Sequence, residues 1–535
     1  MARIELTSQL AQTVGYEATE RNKRKVNLKV KSNDPGKKNQ ELFCLSNGKT
    51  VVGACDGGKL STLGGAPLLW MVELASRYVE AVSACIKDWR VPHAITYTIF
   101  QQVWQRVLLI CAGFSSGNDS NYLRHDVAIK LAMGLDLSEN RHLASQPTIC
   151  RLENNVDYKD CYRMAVCMLM LYIERKKEIP KEIVLDFDGS CVPAHGDQQG
   201  TSYRSYYDTN MYFPLFVYDQ DGWLICAILR PGKEGEARLT VPILKRIVKH
   251  LRAAWLDVRI IVRADAAFGS PELYDWCEDQ GKPDAEKEVY YIVCLRTPPE
   301  GSGISGAFDF RDMKKKASMQ FGKKHGPTQY TWKGAPTKSA VEKELKERPK
   351  AERRKELKRL RERFVRVFDD GSYQSGMGGN DSKQWRQPRR VVAVCTQDDW
   401  GQVSRYFVTN LPVTTRFQAR YLIEDLYSAR GGMELRIKEY KALEGDKLSC
   451  RDFAANQVRI LFHALAYNTM FELRRNLPGK RHSWTFASIQ KYLFRLAVRI
   501  TSKGRRVTIH WASDLQFKNE IWTCIRRLQP RLNSC

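Results

Sequence analysis

Two aspartates stand where apolar segments of the chain end. Ile183–Phe187 leads into Asp188, and Val258–Ala264 leads into Asp265. Carboxylates at strand ends suit Mg²⁺, which prefers oxygen ligands and completes its shell with water and phosphate. Two such ions held about 4 Å apart activate a nucleophile and stabilise a leaving oxygen in phosphoryl transfer. The pattern therefore allows metal-assisted phosphoryl transfer, although a single aspartate at a strand end more often belongs to a turn or a helix cap.

A further aspartate leaves the choice of the first ligand open. Asp186 lies two residues before Asp188, so both side chains point to the same face of the predicted strand. Either of them can serve as the ligand. We favour Asp188 because it is nearer the open end of the strand, where the small residues Gly189 and Ser190 follow.

A third acid comes from a predicted helix far along the chain. Tyr427, Arg430, Glu434 and Lys441 are separated by two, three and six residues. In an α-helix this spacing places all four on one stripe, which offers a carboxylate to metal, two cations to phosphates and an aromatic ring to a base or sugar. The alternative is an ordinary salt-bridged helix face, because Arg430 and Glu434 are also an i,i+4 pair.

The charge balance favours a polyanionic partner. The chain of 535 residues has 86 Lys and Arg against 60 Asp and Glu, a net charge of +26 with a pI near 9.5. Nucleic acid is the usual partner of such a protein, and a merely basic surface is the alternative. The sequence has no apolar run long enough to span a membrane and no secretory signal pattern, so we expect no membrane association. The 15 cysteines are scattered without a Cys-x-x-Cys pair and are expected to be reduced thiols.

The elements that must position these acids form an α/β fold. Between residues 183 and 295 the patterns predict three strands, then a helix, a strand, a helix and a strand, the order of a ribonuclease-H-like mixed sheet flanked by helices. We expect this core to occupy residues 179–300 and to continue at 401–475. There a long helix from Thr415 to about Lys441 carries the glutamate.

The remaining segments surround this core. We expect an N-terminal arm at 1–59 and an α-helical domain at 60–178 that binds DNA ends. In that domain, Asp119–Met133 and Gln146–Glu153 could form a helix-turn-helix, or simply two helices of a bundle. Residues 301–400 are predicted to be a basic insertion, most charged from Arg311 to Arg366, unless this is only a solvated charged helix. Residues 476–535 are predicted to be helical, with an amphipathic helix over Phe486–Ile500.

The spacing Tyr427-x2-Arg430-x3-Glu434-x6-Lys441 resembles the Tyr-Arg-Glu-Lys signature of bacterial insertion-sequence transposases. Other segments resemble one family within that group, and the likeness extends roughly from Leu60 to His510. These segments are Leu143–Glu153, Leu185–Ser190, Ile228–Lys233, Val262–Gly269 and Ala455–Arg459.

This resemblance implies a catalytic triad of two aspartates and one glutamate (DDE) on a ribonuclease-H-like core. The triad maps onto Asp188, Asp265 and Glu434, which would act in catalysis and hold two Mg²⁺ ions, with Mn²⁺ as a substitute. Asp186 remains a possible additional acid. The resemblance assigns DNA contacts near the cut to Tyr427, Arg430 and Lys441 in the same helix.

The expected function is cut-and-paste DNA transposition in the bacterial cytoplasm, in association with the nucleoid. The enzyme would bind the terminal inverted repeats of its element, pair two ends in a homodimer, cut them and join them to target DNA. One alternative is a ribonuclease-H-like nuclease that cuts without joining. Another is a catalytically silent DNA-binding repressor.

Overall fold

The computed structural model describes residues 39–47, 49–54, 58–137, 141–235, 237–280, 289–296, 310–374 and 385–532. The chain forms two compact units, Met1–Gly58 and Lys59–Cys535. In the first unit, strands β1 (Asn39–Cys44) and β2 (Thr50–Ala54) pair antiparallel. Most of the predicted arm 1–59 lies outside the described residues. No helix in the described ranges is long and apolar enough to cross a membrane.

An eight-stranded mixed sheet forms the centre of the second unit. Its strand order is β12-β13-β14-β11-β10-β4-β8-β9. β4, β10 and β11 are parallel to one another, and every other neighbouring pair is antiparallel. The strands of this sheet are β4 (Glu182–Gly189), β8 (Leu215–Asp219), β9 (Leu224–Ile228), β10 (Arg259–Ala264), β11 (Val289–Cys294), β12 (Phe364–Tyr373), β13 (Arg389–Asp398) and β14 (Gly401–Thr409).

Alternating side chains give this sheet two different faces. In β4, Leu185 and Phe187 join the main hydrophobic core, whereas Val184 joins a smaller core on the opposite face. In β10, Val262 belongs to the main core and Ile261 to the smaller one. Because side chains alternate along a strand, the acids at even positions of β4 share the face of the smaller core.

The main core is built around one long buried helix, Phe453–Arg475, here called the central helix. It packs against β9 and against helices from the N-terminal part of the unit. These partners are the helices Pro67–Ser76, Tyr78–Ser83, Ile99–Ala112, Gln146–Asn155 and Tyr158–Glu174. The short helices Asp119–Leu123 and Val127–Ala132 also belong to this region. Helix Thr240–Ala254 connects β9 to β10, and helix Pro271–Asp279 follows β10 in the chain. Both helices pack on the same core.

The predicted insertion supplies both helices and strands. Helices Phe310–His325, Lys338–Lys346 and Lys350–Glu362 precede β12, and the last of them begins directly after its N-cap, Pro349. Pro349 separates the second and third of these helices because proline cannot continue a helix from within but is tolerated where one starts. Strands β12, β13 and β14 then extend the main sheet beyond β11.

The helix that carries Glu434 is less regular than predicted. It begins at Ala419–Tyr421 instead of Thr415, passes through a π-helical segment (Leu422–Tyr427) and a 3₁₀ turn (Ser428–Arg430), and continues as an α-helix, Gly431–Ala442. We call Gly431–Ala442 the triad helix. The prediction of one regular α-helix from Thr415 is therefore wrong in its first half, where π and 3₁₀ turns rotate the side chains relative to an α-helix.

The C-terminal region 476–535 is only partly helical, contrary to the prediction. Of the predicted helix Phe486–Ile500, only Phe486–Ile489 is α-helical, and Gln490–Phe494 is a π turn, whereas a second α-helix of the region covers Lys518–Leu532. Strands β15 (Val498–Lys503) and β16 (Arg506–Trp511) then form a hairpin, and β15 also pairs with β3 (Leu60–Ser61). The physical reason is visible in β15, where apolar and polar residues alternate with a period of two and three of the first four residues are β-branched.

Candidate active site

Asp188 and Asp265 lie side by side at the ends of neighbouring parallel strands. In the register of β4 and β10, Phe187 pairs with Ala264. The residues that follow them, Asp188 and Asp265, are therefore neighbours too. Neighbouring strands are about 4.8 Å apart. Both aspartates point away from the main core, on the face covered by the segment that leads into the triad helix. The fold thus brings together two acids that are 77 residues apart in sequence.

The guanidinium group of Arg430 lies between these two carboxylates. Its Nη2 is 3.3 Å from Oδ1 of Asp188 and 3.4 Å from Oδ2 of Asp265. The same nitrogen donates to the carbonyl of Phe187 at 3.4 Å. Arg430 is only 8% exposed, so this cation is held inside the site. Two carboxylates that converge on one cation are a donor set that suits a hard divalent metal ion.

The charges around Asp188 show how crowded the site is. Burial above all, together with the negative charges of Asp265 and Glu434, raises the pKa of Asp188 to about 6, although Arg430 acts to lower it. The backbone N–H of Gly189 also donates to Asp188 at 2.9 Å, which stabilises the charged form. The three acids of the predicted triad therefore influence one another electrostatically.

Glu434 lies in the first turn of the triad helix and is exposed. Its charge acts on Asp188, but Arg430 makes its ion pairs with the two aspartates rather than with Glu434. Within the described ranges, no three Asp, Glu, His or Cys side chains are close enough to hold a metal ion together. The structure thus places Asp188 and Asp265 in direct juxtaposition, with Glu434 near enough to act on Asp188 electrostatically.

Asp186 lies deeper in the same face and has a different partner. Its two carboxylate oxygens accept hydrogen bonds from Nε and Nη2 of Arg263, at 2.7 and 2.6 Å. A further guanidinium nitrogen of Arg263 donates to the carbonyl of Leu426 at 2.5 Å. This bidentate pair, almost entirely buried, ties β4, β10 and the π-helical segment together beneath the site.

The other two signature residues contact neighbouring elements, although Tyr427 is near enough to Arg430 and Asp265 to interact with both electrostatically. The ring of Tyr427 packs edge-on against Phe407 of β14, with 4.6 Å between the centroids. Lys441, at the far end of the triad helix, donates from Nζ to the carbonyl of Cys191 at 2.9 Å. Tyr427, Arg430 and Lys441 therefore contact three different parts of the fold.

Phe213 and Arg230, which the sequence analysis did not single out, support the end of β4. A Cβ atom at Gly189 would lie 2.4 Å from the ring of Phe213, so any larger residue would have to displace that ring. Arg230, fully buried, donates from Nε to the carbonyl of Phe213 at 2.8 Å and lies 5.2 Å from the centre of its ring. The segment Ile228–Lys233, one of those that carried the family resemblance, contains this arginine and was the available signal.

A buried ion network links two more of the segments that carry the family resemblance, Leu143–Glu153 and Ala455–Arg459. Glu153 accepts hydrogen bonds from Nε of Arg106 and Nε of Arg459, each at 2.9 Å. Although burial opposes ionisation, the two arginines hold the pKa of Glu153 below its ordinary value. This network joins the helix Gln146–Asn155 to the central helix, so it positions the N-terminal helices on the catalytic sheet.

Two adjacent strand-end aspartates with a further acid from a distant helix are an arrangement that suits metal-assisted phosphoryl transfer. The family model for transposase DDE domain group 1 matches residues 43–306 and 312–533, and the chain belongs to that family. The prediction of a DDE transposase is thereby confirmed.

Two further comparisons complete these findings. No curated protein matches the chain. Among solved structures, it is similar to the cryo-EM structure of a piggyBac transposase synaptic complex with hairpin DNA, at 11% identity over 82% of this chain and 81% of that one, with a TM-score of 0.36.

Proposed function

We propose that the chain is the cut-and-paste transposase of a bacterial insertion sequence. It binds the terminal inverted repeats, cuts the DNA at those ends and joins them to target DNA. The observation that carries the proposal is the pairing of Asp188 and Asp265 at adjacent strand ends, with Glu434 close enough to raise the pKa of Asp188. Nucleoid association in the cytoplasm would follow from this role.

The strand order supports a ribonuclease-H-like core. Strands β9, β8 and β4 are antiparallel neighbours, and β10 and β11 follow parallel to β4. Along the chain, these strands and their two helices follow one another as predicted for residues 183–295. Strands β12 and β13 are then additions from the insertion, and β14 belongs to the segment 401–475.

The carboxylates are the proposed ligands of Mg²⁺, with Mn²⁺ as a substitute. We assign Asp188, Asp265 and Glu434 to two ions, and we leave Asp186 out because Arg263 engages both of its oxygens. Such ions, when bound, activate the attacking oxygen and stabilise the leaving one. Arg430 forms ion pairs with both aspartates and so balances their charge. We propose that Arg430 binds the phosphates of the DNA end when metal ions occupy the carboxylates.

The remaining contacts are assigned by charge and position. Tyr427 and Lys441 are proposed to contact the DNA end, as the resemblance implies. Residues 311–366 of the insertion contain 20 Lys and Arg against 7 Asp and Glu, which is half of the net charge of the chain. We assign this basic surface to DNA phosphates, whose binding is strongly salt-dependent. Two ends must be held at once, so the active form is proposed to be a homodimer.

Joining of a pre-cut end separates this function from its alternatives. The substrate is a labelled duplex that carries the terminal repeat with a free 3′-hydroxyl, incubated with plasmid DNA and Mg²⁺. A transposase transfers the label to the plasmid, and a matched duplex with a 3′-dideoxy end gives no product because it lacks the nucleophile. Cutting of uncut ends without transfer would instead indicate a nuclease, and binding without either reaction a repressor.

A further inference from the structure

An exposed aromatic turn lies next to the candidate active site. The chain segment that connects β4 to β8 forms a small antiparallel sheet of its own. Its strands, in spatial order, are β5 (Val192–Pro193), β7 (Thr209–Tyr212) and β6 (Ser202–Arg204). The segment Tyr203–Asp208, here called the tyrosine turn, holds three tyrosines that are 60%, 88% and 38% exposed: Tyr203, Tyr206 and Tyr207. Large aromatic side chains normally bury much of their surface, so a group of exposed ones indicates a contact surface.

The tyrosine turn is connected to the end of β4. The ring of Tyr207 is 6.4 Å from that of Phe213, and Phe213 is the residue that packs on Gly189, directly after Asp188. On the other side of the small sheet, the carbonyl of Cys191 accepts the hydrogen bond from Lys441 of the triad helix. The turn therefore extends the surface on which the proposed reaction takes place.

The turn is held in shape by its own contacts. The hydroxyl of Tyr203 donates to Oδ1 of Asp208 at 2.6 Å, and Asp208 adopts a left-handed backbone conformation with φ of 50°. Arg204 donates from Nε to the carbonyl of Gly232 at 2.7 Å, with its guanidinium 5.0 Å from the ring of Phe213. A left-handed aspartate costs energy and persists where the surrounding contacts fix it, so the tyrosines are presented on a preorganised support.

Nucleobases are the ligands that fit such a surface beside a DNA-cutting site. Each base has a π-face that stacks on an aromatic side chain irrespective of sequence. Bases inside a duplex are already stacked, so a tyrosine can take up only those that are unpaired. We propose that Tyr203, Tyr206 and Tyr207 form a stacking platform for unpaired bases of the DNA strand next to the cut. This inference rests on the proposed function.

Photo-cross-linking tests the contact directly. The probe is a terminal-repeat duplex with a short single-stranded oligo-dT overhang at the cut position, in which one overhang thymine is replaced by 5-iodouracil. Irradiation should attach the overhang to the peptide that contains residues 202–212, as identified by mass spectrometry. Attachment only to other peptides would overturn the proposal, as would a tyrosine turn occupied by a second copy of the chain instead of DNA.

Variants at the most exposed position measure the contribution of stacking. Tyr206→Ala should weaken binding of the overhang duplex about tenfold and leave binding of a flush duplex unchanged, whereas Tyr206→Trp should restore the overhang affinity. Tyr158→Ala is the matched control, because Tyr158 is also an exposed tyrosine (59%) but lies outside the tyrosine turn, at the start of the helix Tyr158–Glu174. Equal overhang affinity for Tyr206→Ala and wild type would overturn the platform.

The failure of this inference can be told apart from that of the proposed function. Glu434→Gln should bind the overhang as the wild type does while losing cleavage. If Glu434→Gln abolishes cutting but Tyr206→Ala has no effect on overhang binding, the transposase assignment stands and the stacking platform is wrong.

Discussion

Charge is used in opposite ways at the candidate active site and in the basic insertion. Around the site, Arg263 and Arg430 are buried and each faces aspartate oxygens. In the insertion, Lys350, Arg354 and Lys355 are exposed on the helix Lys350–Glu362, where basic residues greatly outnumber acidic ones. A buried pair fixes geometry and is costly to break, whereas exposed cations contribute little to folding and much to binding a polyanion.

The packing of the two regions differs in the same sense. The site lies on the smaller core of the main sheet, in which twelve buried residues from strands, from the π-helical segment and from the loop between them pack together. The hydrophobic cluster of the two insertion helices has three buried members, Val341, Leu345 and Leu360. Arg363 ties these helices to the β13–β14 turn through Asp399, with hydrogen bonds of 2.7 and 3.0 Å. Changes in the insertion should therefore affect association more than the catalytic geometry.

The largest expected effect comes from removing a proposed metal ligand. Asp265→Asn keeps the shape of the side chain but removes a charge, so we expect cleavage of terminal-repeat DNA to fall by about a thousandfold or more, since bound metal supplies several kcal/mol of stabilisation. Binding of the uncut DNA should remain. Cleavage within a few-fold of wild type would show that Asp265 is no ligand.

Breaking the buried pair beneath the site should destabilise the fold. Arg263→Met leaves the charge of Asp186 buried without its partner, and we expect the free energy of unfolding to fall by about 3–5 kcal/mol. A urea titration followed by circular dichroism measures the change. The double variant Asp186→Leu with Arg263→Met should recover most of the loss, and a single variant as stable as wild type would contradict the role given to this pair.

Acid should weaken the core at His463, next to the Glu153 network. Burial first, and then the charge of Arg106, lowers the pKa of His463 to about 3. The unfolded chain binds a proton at this residue below about pH 6.5 but the folded chain does not, so stability is lost as the pH falls from 6.5. The loss attributable to His463 is about 2 kcal/mol by pH 5, at roughly 1.4 kcal/mol per pH unit.

A neutral replacement isolates this contribution. His463→Gln cannot take up the proton, so its stability relative to wild type should increase as the pH falls from 7 to 5. Parallel urea titrations at the two pH values measure the difference. A constant difference would mean that His463 is not the responsible group.

The basic insertion should show the smallest effect on the protein itself and a clear one on DNA binding. Replacing Lys350, Arg354 and Lys355 together by glutamine should lower the slope of log affinity against log salt by roughly 0.9 for each DNA phosphate that the protein no longer neutralises. Stability should change by less than about 0.5 kcal/mol. The matched control is glutamine at Lys503, Arg505 and Arg506, exposed at the β15–β16 turn. An equal decrease of the slope in both variants would indicate net charge alone.

The sequence was most informative where the signal lies in consecutive residues. The apolar runs that end at Asp188 and Asp265 predicted β4 and β10, and the structure contains both strands in parallel register. The pairing of Asp186 with Arg263 could not be predicted in this way, because it depends on which residues of two distant strands stand opposite each other. The ligand roles of the triad remain predictions that the experiments above address.

The segments that were mispredicted fail for a common physical reason. The π turn at Leu422–Tyr427 and the strand β15 depend on packing against neighbouring elements, whereas helical periodicity is a property of the segment alone. A short run such as Val498–Ile500 fits the end of an amphipathic helix or the start of a strand equally well. Its pairing with β16 and β3 decides in favour of the strand.

The central claim is that Glu434 completes a metal-dependent catalytic site with the two aspartates. The most direct test is cleavage of terminal-repeat DNA in Mg²⁺ by wild type, Glu434→Gln and Asp425→Asn. Asp425 is an exposed acid in the preceding π turn and serves as the matched control. Loss of cutting with retained DNA binding in Glu434→Gln, and normal cutting in Asp425→Asn, is the predicted result. Equal cutting by Glu434→Gln and wild type would contradict the triad assignment.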